Sequence, residues 1–293
     1  MNLMDEIIYD RHDDEWEECL NNEERKKVAE TWMESGTLDK WRHERMLNKI
    51  LPFIDADKKW LTIGDGRYGT DANFIIRNGG KAHATDISDK LLRIGHKNGY
   101  IKDFSEQNAE KLTFENNSFD YVLIKESFHH FPRPWIALYE AFRVAREGVI
   151  LIEPNDENGS LLNTLRRTFT KKGKKYNFES VGNFVYKLNN HELEKFALGM
   201  HHRHVGFLKI NDSYEKGVEF INLNTKNFKE KFMIRKIKTK IKLLNFLSKI
   251  KIFNYGLTIS VVFKSKPSQE LKNKLIKEGF VIKELPSNPY LNK

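Results

Sequence analysis

Between residues 58 and 154, short apolar runs alternate with amphipathic stretches whose periods are those of strands and helices. Trp60-Leu-Thr-Ile63 reads as a buried strand. The pattern then predicts a helix from Thr70, a strand at 81–86, a helix at 88–95, a short strand near Ile101, a strand at 119–124, a helix at 134–145 and a strand at 149–153. Strands that alternate with helices imply an α/β fold, a doubly wound and mostly parallel sheet with helices on both faces. Residues 1–57 read as an N-terminal helical cap that Pro52 interrupts before the first strand. After the core at 58–154, residues 155–293 supply the rest of the sheet, with basic insertions at 155–188 and 214–253. Helix 190–198, strand 205–210, strand 255–264 and a final helix and strand within 269–285 resume the alternation.

The strand at Trp60 runs into Gly64-Asp-Gly-Arg-Tyr-Gly-Thr-Asp71, and about twenty residues later the second strand ends at Asp86. Glycines spaced in this way let the chain turn sharply and approach a ligand, while a carboxylate at the end of the second strand suits a ribose diol. The spacing fits both a dinucleotide loop and an S-adenosylmethionine loop. Charge separates them. A pyrophosphate favours a helix N-terminus without anionic side chains, whereas Asp65 and Asp71 suit a cofactor carrying a sulfonium and an ammonium group.

The net charge of +9 conceals an uneven distribution. Residues 1–160 hold 22 Lys and Arg against 31 Asp and Glu, a balance of −9, and residues 161–293 hold 28 against 10, a balance of +18. The second half is therefore expected to meet an anionic partner. Within 226–253, Ile234, Ile237, Ile241 and Leu244 share one helical face among ten Lys and Arg, which reads either as a helix docked on the core or as a peripheral membrane contact. No apolar run approaches the ~18 residues of a membrane span, and the N-terminus lacks a signal-peptide pattern, so a cytoplasmic protein is expected. The single cysteine, Cys19, excludes an intrachain disulfide and a cysteine-rich zinc site. No metal site is assigned: in Met200-His-His-Arg-His204 a strand would put His202 and His204 on one face and His201 on the other.

Beyond the glycine loop come Asn108-Ala-Glu-Lys-Leu, Ser118-Phe-Asp-Tyr-Val-Leu-Ile, His129-His-Phe and Glu140-Ala-Phe-Arg, the last running on to Glu153-Pro. This ordered set resembles the class I S-adenosylmethionine-dependent methyltransferases over roughly residues 58–154, and within them a small-molecule or sugar O-methyltransferase branch. The resemblance implies the Rossmann-like methyltransferase fold and S-adenosylmethionine as cofactor. It puts Gly64, Asp65 and Gly66 at the methionine and ribose end, Asp86 on the ribose hydroxyls, Ile87 against adenine, Asn108 and Ala109 at the adenine edge, and Lys125 and Glu126 near the methionine. Two positions depart from the family: Thr62 and Asn108 stand where it usually has acids.

Methyl transfer is an in-line displacement for which alignment is the larger task, and a base is needed for hydroxyl acceptors of high pKa. His129 and His130 lie just past the fourth strand and offer proton acceptors, with Glu153 on the same rim as the next candidate. Arg133, Arg166 and Arg167, with the Lys171–Lys175 cluster, are expected to hold an anionic acceptor. The expected function is methylation of an oxygen on a phosphate-bearing or sugar substrate in bacterial surface-polysaccharide assembly. RNA methylation is the alternative suggested by the basic half, although no RNA-binding module is recognisable. A nicotinamide-dependent oxidoreductase is suggested by the glycine spacing alone. The oligomeric state is left open.

Overall fold

The computed structural model of the chain describes residues 3–156, 178 and 182–290. Its centre is one eight-stranded sheet in the order β3-β2-β1-β4-β5-β7-β6-β8. The strands are β1 (Lys59–Ile63), β2 (Lys81–Asp86), β3 (Asp103–Glu106), β4 (Phe119–Lys125), β5 (Ala145–Pro154), β6 (His204–Ile210), β7 (Leu257–Phe263) and β8 (Val281–Glu284). The first five are parallel, and β6, β7 and β8 join them in antiparallel register. The order in which successive strands join the sheet reverses between β1 and β4, so a crevice opens beyond their carboxyl ends. Gly64, Asp86, Lys125, Glu126 and Glu153 all stand on that rim, as the alternation predicts.

The described helices are α1 (Leu3–Asn21), α2 (Glu23–Thr31), α3 (Leu38–Leu47), α4 (Thr70–Arg77), α5 (Lys90–Lys97), α6 (Pro134–Val144), α7 (Asn190–Gly199), α8 (Phe228–Lys249) and α9 (Gln269–Glu278). Side chains alternate across β4. Val122 and Ile124 meet α6 and α7 through Leu138, Phe142, Leu193 and Phe196, while Tyr121 and Leu123 meet Phe74 and Leu275 from α4 and α9 on the other face. Both faces of the sheet are covered, which is why β4 and β7 are apolar almost throughout.

Several boundaries differ from expectation for local reasons. Pro52 does not break the chain into a loop but lies in a 3-10 helix, Asn48–Phe53, which continues α3. The third strand begins at Asp103 rather than near Ile101; Ile101 is instead buried against Gly69, where a Cβ would come within 2.6 Å of it. The fifth strand starts at Ala145, four residues before the expected point, because Ala145 pairs with Phe119 of β4 ahead of a register shift. Arg166, Arg167 and Lys171–Lys175 lie outside the described residues.

Candidate cofactor and acceptor site

The rim opens into a cavity of about 640 Å³, within the usual range for small-molecule sites. Its floor is the β1–α4 loop. Gly64 has φ +74° and packs so closely on the turn after β4 that a Cβ would lie 2.3 Å from Ser127 Cβ. Gly66 faces the cavity, and a Cβ there would meet Trp16 at 2.5 Å and Asp86 Oδ2 at 2.7 Å. That missing carbon leaves room for the carboxylate at the end of β2.

Asp86 is buried, and burial raises its carboxyl to about 6 despite hydrogen bonds from the Ser88, Gly66 and Ile87 amides and from Trp16. The Trp16 indole donates to Oδ1 at 3.1 Å, and the Ser88 amide donates to the same atom at 3.2 Å. Ile87 and Ala109 line the cavity together with Asp86. Asn108 does not; its side-chain oxygen accepts from the Glu110 amide at 2.8 Å, so it closes its own turn, and neighbouring Gln107 takes the lining position.

Asp65 is also used differently from the expectation. Its carboxylate accepts from the Asp71 and Ala72 amides at 3.1 and 2.9 Å and from the Thr62 hydroxyl at 2.9 Å, so both oxygens serve the first turn of α4. Thr62, which replaces the family's strand acid, thus donates to an acid three residues later. Burial and the charge of Asp71 hold Asp65 well above the ordinary carboxylate range.

The loop's other wall is ionic. Lys125 is buried with its ammonium 3.2 Å from Asp71 and 3.7 Å from Glu126. Burial alone would lower its affinity for a proton, but Asp71 and Glu126 reverse the shift, so it stays charged. Glu126 has φ +50°, a left-handed conformation that costs a non-glycine residue about 1–2 kcal/mol. Its carboxylate sits 3.3 Å from His43 Nδ1. Burial would raise its pKa, yet the hydrogen bond from His43 and the charges of Lys125, His43 and Arg67 hold it far below the usual range. Arg67, at the loop's centre, stacks 4.6 Å from the Trp32 ring.

Above the loop, β5 ends at Glu153, which is fully buried. One of its oxygens accepts from the Ser127 and Phe128 amides at 3.0 and 2.9 Å, and the other lies 2.6 Å from His129 Nδ1. Two residues proposed as separate catalytic candidates therefore form one pair. A carboxylate at Nδ1 favours the tautomer that carries its proton there. The His130 ring is 4.1 Å from that of His129, and both histidines line the cavity. Arg133 turns elsewhere. Its backbone amide and Nε donate to Glu110 at 2.7 and 2.6 Å, so its charge is matched within the protein rather than presented to an acceptor.

The roof comes from the N-terminal helices. Tyr9, His12 and Trp16 of α1, with Asp39, Arg42 and His43 of α3, line the cavity beside Trp32. Lys90 holds α1 in place through Asp13 at 2.9 Å and Glu17 at 3.1 Å. The periodicity marks a helical cap but singles out none of these residues. His202 and His204 are remote from this site: His202 stacks on Phe142 at 5.3 Å and His204 sits on β6.

Residues 61–152 match the family described as a methyltransferase domain, and the mostly parallel sheet flanked by helices is the fold that the resemblance implies. They form a class I S-adenosylmethionine-dependent methyltransferase domain. A ubiquinone/menaquinone biosynthesis C-methyltransferase from Rhizobium meliloti is 34% identical over 124 residues, covering 40% of this chain and 48% of its own. Its namesake from Bartonella quintana is 39% identical over 118 residues, covering 36% and 45%. The chain spans about half the length of the curated relatives it matches. Among solved structures, an S-adenosylmethionine-dependent methyltransferase from Archaeoglobus fulgidus has a TM-score of 0.50 at 15% identity, covering 76% of this chain and 94% of its own. The YcgJ protein from Bacillus subtilis has the same score and identity, covering 77% and 100%. These similarities establish the methyltransferase fold. They give no support to surface-polysaccharide assembly, since the names of the curated relatives point to quinone biosynthesis.

Proposed function

We propose that the protein transfers the methyl group of S-adenosylmethionine to a small-molecule acceptor whose hydroxyl is deprotonated by His129. The observation that carries this reading is the Glu153–His129 pair at 2.6 Å, opening onto the same cavity as Gly66 and Asp86. The cavity fits the cofactor: Gly66, without a Cβ, lets the Asp86 carboxylate and Trp16 close on the loop at the cavity wall, and Asp86 is a buried carboxylate without a cationic partner among its hydrogen bonds. When bound, the cofactor supplies an activated methyl on a sulfonium, a leaving group that needs no acid. Asp86 accepts from the ribose hydroxyls, and Ile87 with Ala109 packs on adenine. Lys125 and Glu126 meet the methionine end, where their mutual neutralisation suits a zwitterion. His129 Nε2 takes the acceptor proton, and Glu153 fixes the ring and stabilises the imidazolium that forms.

On this reading the methyl goes to the oxygen. A second reading, transfer to a ring carbon activated by the same deprotonated hydroxyl, is favoured by the relatives that act as C-methyltransferases. An acceptor bearing phosphate rests on Arg166, Arg167 and the lysine cluster, whose charge suits it. The test supplies methyl-labelled S-adenosylmethionine with hydroxylated acceptors and reads the product by carbon NMR, where methoxy and ring-methyl carbons are well separated. His129→Ala should lower turnover about a hundredfold or more while adenosylhomocysteine affinity stays unchanged. Normal turnover in that variant would remove the base from the mechanism.

A further inference from the structure

Helix α8 has two apolar faces, and only one is used by the fold. Ile234, Ile237 and Ile241 are buried against Leu38, Val218 and Ile221. At about 100° per residue, Phe228, Phe232, Leu243, Phe246 and Ile250 fall within an arc of roughly 60° on the opposite side. All five are exposed, Phe228 at 81%, Phe232 at 64% and Phe246 at 59%. The helix carries eight Lys and Arg against one Glu. Lys231, Arg235, Lys242 and Lys249 flank the exposed stripe on one side and Lys229, Lys236 and Lys240 on the other, with Glu215 paired to Lys236 at 2.6 Å and lying 3.7 Å from Lys240.

We propose that this outer face of α8 is a docking surface for an anionic lipid bilayer, into whose interface the helix sinks its apolar stripe while the flanking lysines reach the headgroups. An apolar stripe bordered on both sides by cations is the arrangement an interfacial helix requires. Among the described residues no helix is long and apolar enough to cross a membrane, so the contact lies in the surface plane. A nucleic acid would use the lysines and stack on the phenylalanines, but it offers nothing to Leu243 and Ile250, which have no aromatic face. A second copy of the helix would bring like charges together on both flanks. The inner face packs on α3 beside Asp39, Arg42 and His43, which line the cavity, so a docked membrane stands one helix away from the acceptor site.

The experiment sediments the purified full chain with phosphatidylcholine vesicles, with and without phosphatidylglycerol. Wild type should pellet with the anionic vesicles, remain in solution with the neutral ones and be released by salt. The double variant Phe232→Ser, Phe246→Ser should lose about ten-fold or more in partitioning per phenylalanine with an unchanged melting temperature, since both side chains are exposed. The proposal is overturned if wild type stays in solution with anionic vesicles, or if the double variant pellets as wild type does. It is equally overturned if gel filtration shows a dimer that the double variant dissociates, or if single-stranded RNA binds tightly and displaces the vesicles.

Discussion

Replacing Glu153 by Gln isolates the role of the buried carboxylate from its shape. One glutamate oxygen accepts from two backbone amides at 3.0 and 2.9 Å, and the other faces His129 Nδ1 at 2.6 Å. A glutamine satisfies the two amides only by turning its carbonyl toward them, which points its NH2 at Nδ1. Nδ1 must then become the acceptor, and the ring proton moves to Nε2, the atom assigned to take the acceptor's proton. The charge-assisted bond lost is worth about 1.5–3 kcal/mol, but removing a buried charge recovers part of its desolvation cost, so stability should change by only about 1–2 kcal/mol. Catalysis should suffer far more, by about a hundredfold or greater, because the wrong tautomer removes general-base assistance. Long-range proton–nitrogen correlation on the neutral ring reads the tautomer directly and needs no acceptor. The expected result is Nδ1–H in wild type and Nε2–H in the variant. Nε2–H in wild type, or an unchanged tautomer and turnover in Glu153→Gln, would refute the reasoning.

Two further predictions concern the cofactor end of the cavity. The Asp86 carboxyl is raised to about 6, so adenosylhomocysteine affinity should fall as pH drops through that value and be constant above it; calorimetry across pH should show this slope, and Asp86→Asn should bind weakly without it. The same group contributes stability that is present below its ordinary pKa near 4 and is lost as pH rises through about 6, so ligand-free Asp86→Asn should gain melting temperature over wild type above pH 6. Gly66→Ala puts a methyl group 2.5 Å from Trp16 and 2.7 Å from Asp86 Oδ2, and should cost about 1–3 kcal/mol of adenosylhomocysteine binding. Gly199→Ala, where a Cβ meets nothing within 4 Å, serves as the control, and equal affinities in the two variants would show that the close packing of Asp86 and Trp16 on Gly66 does not matter to the ligand.

The alternation of strands and helices was legible because each core strand is apolar over most of its length and each helix is amphipathic, so β1, β2, β4, α4 and α6 fall within a few residues of where the pattern puts them. The residues on the rim followed from topology alone. Side-chain partnerships did not. Asp65 and Arg133 were read as ligand contacts from their places in a motif and a loop. They are committed to the α4 amides, six and seven residues on, and to Glu110, 23 residues away. Thr62 looked like a lost acid, yet its hydroxyl is the donor that holds Asp65. The roof was the least legible part: Tyr9, His12, Trp16 and His43 stand in helices whose periodicity gives no indication of where they dock. The one signal was the presence of tryptophans in a strongly acidic segment, where a solvated helix has little use for them.

Titration calorimetry with adenosylhomocysteine decides whether the cavity between Gly66, Asp86 and Glu126 binds S-adenosylmethionine. One site per chain is expected, with competition by S-adenosylmethionine, no heat with NAD, and a loss of about 1–3 kcal/mol in Asp86→Ala. Binding of NAD without binding of adenosylhomocysteine, or adenosylhomocysteine binding untouched by Asp86→Ala, would contradict it.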